Sequence, residues 1–414
     1  MNILTPITHA AARFDYAAHF NAALDDLKRG GSYRRFARLS RIAGAWPRAL
    51  LHDEHGAREV TVWCSNDYLG MGAHASTVVA MSQTALTQSA GAGGTRNISG
   101  THTLHCELEA ELADLHGKPA ALLFTSGYLA NLGALATLAA KLPGCIVLSD
   151  ERNHASMIAG LQAARVEKRI FRHNDLAHLE EILRTLPASR PKLIAFESVY
   201  SMDGTISDIA AVTALARRYN ALTYLDEVHA VGLYGPEGAG IAARDAVAAQ
   251  VDIIQGTLAK SFGVIGGYVA ASAAIIDVLR SFSREFIFTS ALPPPVVAAA
   301  LAAVRHVRGA HELRARHQSR VVAVKQALAA AGLPVLDSPS HIVPVMVGEA
   351  HRATAISRAL LDDHGIYVQP INHPTVPRGT ERLRLTPSPQ HTDAMIADLA
   401  AGLRDVFTRI GGES

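Results

Sequence analysis

The stretch Ile253-Ile254-Gln255-Gly256-Thr257-Leu258-Ala259-Lys260-Ser261-Phe262-Gly263 decides how the rest of the chain is read. An apolar run delivers one lysine among small residues, and Gly266-Gly267 follows closely. Upstream, Leu222-Thr223-Tyr224-Leu225-Asp226-Glu227-Val228-His229 ends another apolar run in a carboxylate and a histidine. A lysine beside glycine is ordinarily a solvated loop residue, and an aspartate after a strand is ordinarily a helix cap. Both in this order, each closing an apolar run, favour a built site over two unrelated surface residues.

Outward from these two runs the pattern alternates. Strands are expected at 120–124, 145–149, 168–171, 192–197, 221–226, 253–257 and 267–271, with helices at 105–116, 127–140, 156–164, 176–186 and 209–219 between them. Such alternation predicts an α/β fold, a mostly parallel sheet covered on both faces. A long helical region at about 294–331 leads to a smaller α+β unit, with strands near 343–347 and at Val368 and a last helix over 392–410. Residues 1–50 read as helical and mildly basic, with an amphipathic helix over 16–29 stopped by Gly30-Gly31. A β-rich run over 59–64 enters a turn at 65–70. The expected division is an N-terminal helical segment 1–60, a large domain 61–300 and a small C-terminal α+β domain 301–414.

Composition narrows the function. The 414 residues are 49% hydrophobic and 18% charged, with a formal net charge of +2, so general nucleic-acid binding is not expected. No apolar run has the length of a membrane span, and no membrane partner is expected. Cys64, Cys106 and Cys145 show no metal spacing, so no metal is expected, and each reads as a small buried apolar residue of a reducing compartment. Asp15, Asp25 and Asp26 argue against a transit peptide, and the expected location is cytoplasmic.

The chemistry follows from the lysine and the carboxylate. A lysine with an apolar approach can attack an aldehyde as the neutral amine, and a carboxylate at a neighbouring strand end can hold a pyridine nitrogen protonated. Together they describe a site for pyridoxal phosphate (PLP). Thr125-Ser126-Gly127-Tyr128 follows a strand and opens a helix, an anion site suited to the cofactor's phosphate, although a plain cap has the same sequence. Asn153-His154-Ala155-Ser156 places an imidazole after the next strand, either a satisfied loop histidine or a ring stacked on the cofactor. Ser201 and Thr257 are hydroxyls at later strand ends, where doubly wound sheets bind ligands.

From about residue 15 to 408 the chain resembles the α-oxoamine synthase family of fold-type-I PLP-dependent transferases, which are aspartate aminotransferase-like. The resemblance rests on Ser65-Asn66-Asp67-Tyr68-Leu69-Gly70, Asn153-His154-Ala155-Ser156, Phe196-Glu197-Ser198-Val199-Tyr200-Ser201-Met202-Asp203-Gly204 and Asp226-Glu227-Val228-His229. Two segments favour the branch that condenses glycine with succinyl-CoA, losing CoA and CO₂ to yield 5-aminolevulinate. They are Gly93-Gly94-Thr95-Arg96-Asn97-Ile98-Ser99-Gly100-Thr101 and Pro374-Thr375-Val376-Pro377-Arg378-Gly379. The lysine segment Thr257-Leu258-Ala259-Lys260-Ser261-Phe262-Gly263 departs from the expected Thr-Leu-Gly-Lys-Ala-Tyr-Gly, which leaves open a sibling synthase with another amino acid or acyl-CoA. A non-catalytic PLP-fold scaffold is the remaining alternative, and it would be free to lose Lys260 or Asp226.

The resemblance implies the following roles. Lys260 carries PLP covalently and takes the glycine α-proton. Asp226 pairs with the ring nitrogen, His229 meets the phenolic oxygen and His154 stacks on the ring. Ser126, Gly127, Tyr128, Ser201 and Thr257 surround the cofactor, and Thr289 and Ser290 reach a phosphate across the interface of a homodimer with shared active sites. Arg384 grips the glycine carboxylate, and Asn66 lies near the reacting carbons. Arg34, Thr95, Asn97 and Thr375 contact succinyl-CoA, joined by Ser149 and Lys168.

Overall fold

The computed structural model describes residues 14–54 and 56–411; residues 1–13 of the expected N-terminal segment lie outside the described residues. The strands are β1 (Arg38–Arg41), β2 (Arg48–Asp53), β3 (Gly56–Val62), β4 (Ala120–Phe124), β5 (Ile146–Asp150), β6 (Glu167–Phe171), β7 (Lys192–Glu197), β8 (Leu222–Asp226), β9 (Ile253–Thr257), β10 (Gly267–Ala271), β11 (Val343–Met346), β12 (Ile366–Tyr367), β13 (Pro370–Ile371) and β14 (Arg382–Leu385). The main sheet has seven strands in the order β4-β10-β9-β8-β7-β5-β6. Pairing is parallel from β9 through β6, and β10 alone runs against both of its neighbours. The carboxyl ends of β4, β5, β7, β8 and β9 therefore lie along one edge. Strands buried on both faces read as continuous apolar runs, which is why 145–149 and 192–196 were legible without alternation.

Apolar side chains from the sheet's two faces build separate clusters. One contains Ile146, Leu148, Ile194, Phe196 and Ile254, and the other Val147, Leu193, Ala195, Tyr224 and Ile253. A third cluster surrounds the three-stranded sheet β11-β14-β13 and joins Val343, Val345, Leu383 and Leu385 to Leu360, Leu399 and Leu403.

The expected helical character of 1–60 is corrected in part. The Tyr16–Arg29 helix forms, capped by the Asp15 side chain. Residues 38–62 instead make the antiparallel strands β1, β2 and β3, and β3 pairs in parallel with β12. Ala49, Leu51, Val60 and Val62 alternate along their strands and bury together, so a period of two overrode the Ala/Leu/Arg helix preference.

The region 294–331 is two helices, Pro294–Gly309 and His311–Ala330, broken at Ala310. Strand β14 was hidden because Arg382-Leu383-Arg384-Leu385 looks half charged; its leucines are buried in the third cluster, and its arginines are buried too. The helices Ala75–Thr87, Ala273–Phe282 and Ala350–His364 were also missed. Of the cysteines only Cys145 is buried; Cys64 is half-buried and Cys106 faces solvent from the Thr103–Leu115 helix.

Close backbone approach at one point ties the site to the sheet. A Cβ on Gly267 would lie 2.5 Å from Gly127 Cα, so β10 carries the start of the Gly127–Lys141 helix in direct contact. Gly267→Ala has no space to fill, and overpacking of this kind costs about 1–3 kcal/mol. Thermal unfolding of the variant is expected at a lower midpoint, and an unchanged midpoint would show that the helix does not rest on this strand.

Candidate active site

Asp226 closes β8, and its carboxylate is buried, which pushes its pKa up. Several partners oppose that rise. Asn131 donates from Nδ2 to Oδ2 at 2.7 Å, and the Val228 backbone N–H donates to Oδ1 at 2.8 Å. The charges of His154 and Lys260 act in the same direction. Asn131 is itself held by Tyr224, whose hydroxyl donates to Oδ1 at 2.8 Å. A carboxylate with such donors stays available to a positive group brought against it.

Lys260 follows β9 and is half-buried. Desolvation lowers its pKa to about 8; the Asp226 and Glu197 carboxylates oppose the shift, while Arg384 adds to it. His154 opens the Ala155–Ala164 helix with its ring exposed. Its Nδ1 accepts from the Ser156 backbone N–H at 3.2 Å, which leaves the ring proton on Nε2. The ring's orientation is thus set by its own helix, and burial lowers its pKa. His229 is buried, with Nδ1 2.7 Å from the Tyr68 hydroxyl, and desolvation holds it well below the usual histidine range.

Ser126 caps the Gly127–Lys141 helix, accepting from Leu129 N at 3.1 Å. Thr257 buries its hydroxyl, which donates to the Gly266 carbonyl at 3.0 Å and accepts from Ala259 N at 3.2 Å. A Cβ on Gly127 would meet Thr257 Oγ1 at 3.3 Å, so the missing side chain keeps this cradle open. Tyr128, beside it, is exposed and sets its ring edge toward His154, 6.4 Å between centroids. An amine for an aldehyde, a buried carboxylate for a ring nitrogen, an exposed imidazole and a helix start for a phosphate fit PLP.

Arg384 on β14 reaches the same cleft from the smaller unit. It donates to the Ser201 carbonyl at 3.1 Å and to Asn66 Oδ1 at 2.6 Å. The other expected residues fall into groups. Arg34 Nη2 lies 3.4 Å from Thr375 Oγ1, and Thr95 donates to Asn97 Oδ1 at 2.7 Å; no hydrogen bond joins the two pairs among the described residues. Thr289 and Ser290 lie against the glycine-rich segment of their own chain, where Ser290 bridges Thr95. Ser149 is buried inside the sheet, accepting from Asn153 Nδ2 at 2.9 Å. Lys168 stands exposed near the start of the edge strand β6, four strands and roughly 19 Å from β9 at the usual strand spacing.

Three residues beside Asp226 and His229 were not singled out from sequence. Asn131 is a lone amide in an apolar helix, a signal that could have found it. Glu197 ends an apolar run as Asp226 does, pairs with it in register across β7 and β8, and accepts the His154 backbone N–H at 2.5 Å. Burial first, and the Asp226 charge second, raise its pKa well above the usual range. Tyr68 looked like a turn residue; its hydroxyl is pushed up to about 12 by burial.

Known proteins bear on this geometry. Residues 58–403 match the family Aminotransferase class I and II. The 5-aminolevulinate synthase of Bradyrhizobium diazoefficiens is 55% identical over 397 residues, 96% of this chain and 97% of that one. 5-Aminolevulinate synthase 2 of Cereibacter sphaeroides is 56% identical over 398 residues, 96% of this chain and 98% of that one. The chain belongs to the 5-aminolevulinate synthase family. Among solved structures, the serine palmitoyltransferase of Sphingomonas wittichii superposes with a TM-score of 0.89 at 28% identity, covering 96% of this chain and all of that one. SPT with PLP as its internal aldimine gives 0.89 at 31% identity with the same coverage. The fold is that of fold-type-I PLP enzymes, and PLP is the cofactor of this family.

The neutral amine is the form that attacks the cofactor's aldehyde, and a lowered pKa makes it abundant at lower pH. Capture of PLP by the apoprotein, followed by absorbance, is expected to accelerate from pH 7 to 9 and then level. A rate still climbing beyond pH 10 would return Lys260 to the ordinary lysine range.

Proposed function

We propose that this chain condenses glycine with succinyl-CoA, releasing CoA and CO₂ and forming 5-aminolevulinate, a haem precursor. It is an acyltransferase. The observation that carries the reading is the convergence of Lys260, Asp226 and Arg384 on one cleft in a chain whose relatives are 5-aminolevulinate synthases. Bound PLP supplies the electron sink for charge left when glycine loses its α-proton.

The chain's own residues set up the rest. Arg384 is held by the Ser201 carbonyl and Asn66, which leaves a buried, oriented guanidinium to grip the glycine carboxylate. Lys260, neutral in a good fraction near pH 8, takes and returns the α-proton. Asp226 keeps a negative charge against the ring nitrogen, and His154 and His229 pack its face and rim. Ser126, Gly127, Tyr128 and Thr257 receive the phosphate end. In this reading residues 61–300 hold the cofactor and 301–414 hold the amino acid through Arg384.

The working unit is a homodimer, in which Thr289 and Ser290 of one copy approach the phosphate of the other. Its support is the apolar surface flanking these residues: Phe288 is 75% and Ile98 77% exposed in one chain. Arg34, Thr95, Asn97 and Thr375 then meet the acyl-CoA, joined by Ser149 and Lys168. No helix among the described residues is long and apolar enough to cross a membrane; the location we propose is the cytoplasm.

Asp226→Ala is expected to slow exchange of the glycine α-proton roughly 10²–10³-fold, the scale for losing one electrostatic stabiliser, while PLP stays bound. Exchange followed by NMR at the normal rate would contradict the role of Asp226. Succinyl-CoA is expected to beat butyryl-CoA by roughly 10²-fold or more in kcat/KM, because a site built for a carboxylate leaves its donors unpaired with the uncharged chain. Arg34→Leu should shrink that ratio, mainly by weakening succinyl-CoA. Equal use of both thioesters by the unaltered enzyme would move it to another acyl donor.

A further inference from the structure

Three consecutive residues, Asn66, Asp67 and Tyr68, each reach a different part of the fold. Asn66 accepts from Arg384 of β14, and Tyr68 meets His229 beyond the end of β8. Asp67 turns the other way. Its Oδ2 accepts from Arg41 Nη1 at 3.2 Å and from the Gly72 backbone N–H at 3.1 Å. The carboxylate is buried, and Arg41 is the largest charge opposing the rise in pKa that burial causes. Arg41 closes β1 and lies over the Trp46 ring, 5.0 Å from its centroid. The same loop presses on the turn after Lys260. A Cβ on Gly263 would lie 2.1 Å from Gly72 N, and one on Gly72 would lie 2.7 Å from both Gly263 O and Arg41 Nη1. Gly263 N in turn donates to the Lys260 carbonyl at 2.8 Å.

We infer that Arg41, on the N-terminal hairpin, is a positioning residue for the amino-acid substrate: through Asp67 it fixes the 66–68 tripeptide, and so the aim of Arg384 and His229. Arg41 touches neither substrate nor cofactor in this scheme. Without its guanidinium, the buried Asp67 carboxylate loses its one ion-pair partner among the described residues. The Asp67 carboxylate is then held by the Gly72 N–H alone, and the middle of the tripeptide loosens between its contacts at Arg384 and His229, so that Asn66 presents a less fixed acceptor to Arg384. The inference rests on the reading of Arg384 as the glycine-carboxylate grip.

The test uses the PLP-loaded enzyme and compares Arg41→Met, Arg41→Lys and Asp67→Asn with Arg384→Met. Glycine affinity is measured by calorimetry, alongside KM for each substrate and thermal unfolding. Arg41→Met is expected to weaken glycine binding and raise its KM about 10-fold, leaving KM for succinyl-CoA within 2-fold, and Arg41→Lys to recover part of the loss. The double variant Arg41→Met/Asp67→Asn should be no worse than the poorer single one. Glycine affinity unchanged in folded Arg41→Met, or equal loss for both substrates, overturns the inference. Should Arg41→Met fail to fold, Arg41→Lys and Asp67→Asn carry the test: independent, multiplying losses overturn it. If Arg384→Met leaves glycine binding intact, the reading of Arg384 fails instead, and the two failures are told apart.

Discussion

Burying a carboxylate at a strand end is the constraint around which this active site is organised. An isolated Asp226 in this interior would take a proton and become useless as a counter-charge. The fold prevents that by surrounding it with directed donors. Asn131 comes from the first turns of one helix, the Val228 N–H from the strand's own continuation, and positive charge from Lys260. Each donor comes from a different loop or helix, so the site exists only when the sheet order does. Glu197 shows the complementary outcome: one strand over, with the Asp226 charge beside it, it is pushed toward the neutral acid. Two like carboxyls at adjacent strand ends are thereby driven apart in protonation.

A second consequence is that the catalytic edge is closed from the far side of the chain. Arg384 and Arg382 lie two residues apart on β14 and donate to the consecutive carbonyls of Ser201 and Met202. Gly204 sits so tightly in this junction that a Cβ would lie 2.1 Å from Ser338 Oγ. The small unit therefore does not merely cover the cleft; it holds the loop that follows β7. The N-terminal hairpin does the same for the 66–72 loop. The large sheet supplies the chemistry, and the flanking units supply its alignment.

Much of this was legible in the order of residues. A parallel sheet buried on both faces writes continuous apolar runs, and a run must end where its strand emerges, so Lys260, Asp226 and the helix start at Ser126 could be placed at strand ends from sequence. The β-rich run was readable from residue 59 onward, while at 48–58 a helix-favouring composition masked the alternation. β14 escaped because its arginines are buried along with its leucines, and burial of a charged side chain depends on what packs against it.

By itself, then, the sequence determined the type of fold and the family, and it placed the lysine and the carboxylate proposed to hold the cofactor at strand ends, because these are set by local runs and short motifs. Only the tertiary structure decided which polar residues serve them. Asn131, Tyr68, Glu197 and Arg41 lie far from their partners along the chain, and nothing local distinguishes a tyrosine in a turn from one whose hydroxyl meets a buried histidine. The same packing set how deep Ser149 sits in the sheet and on which end of its strand Lys168 stands, which are properties of strand order, not of sequence spacing.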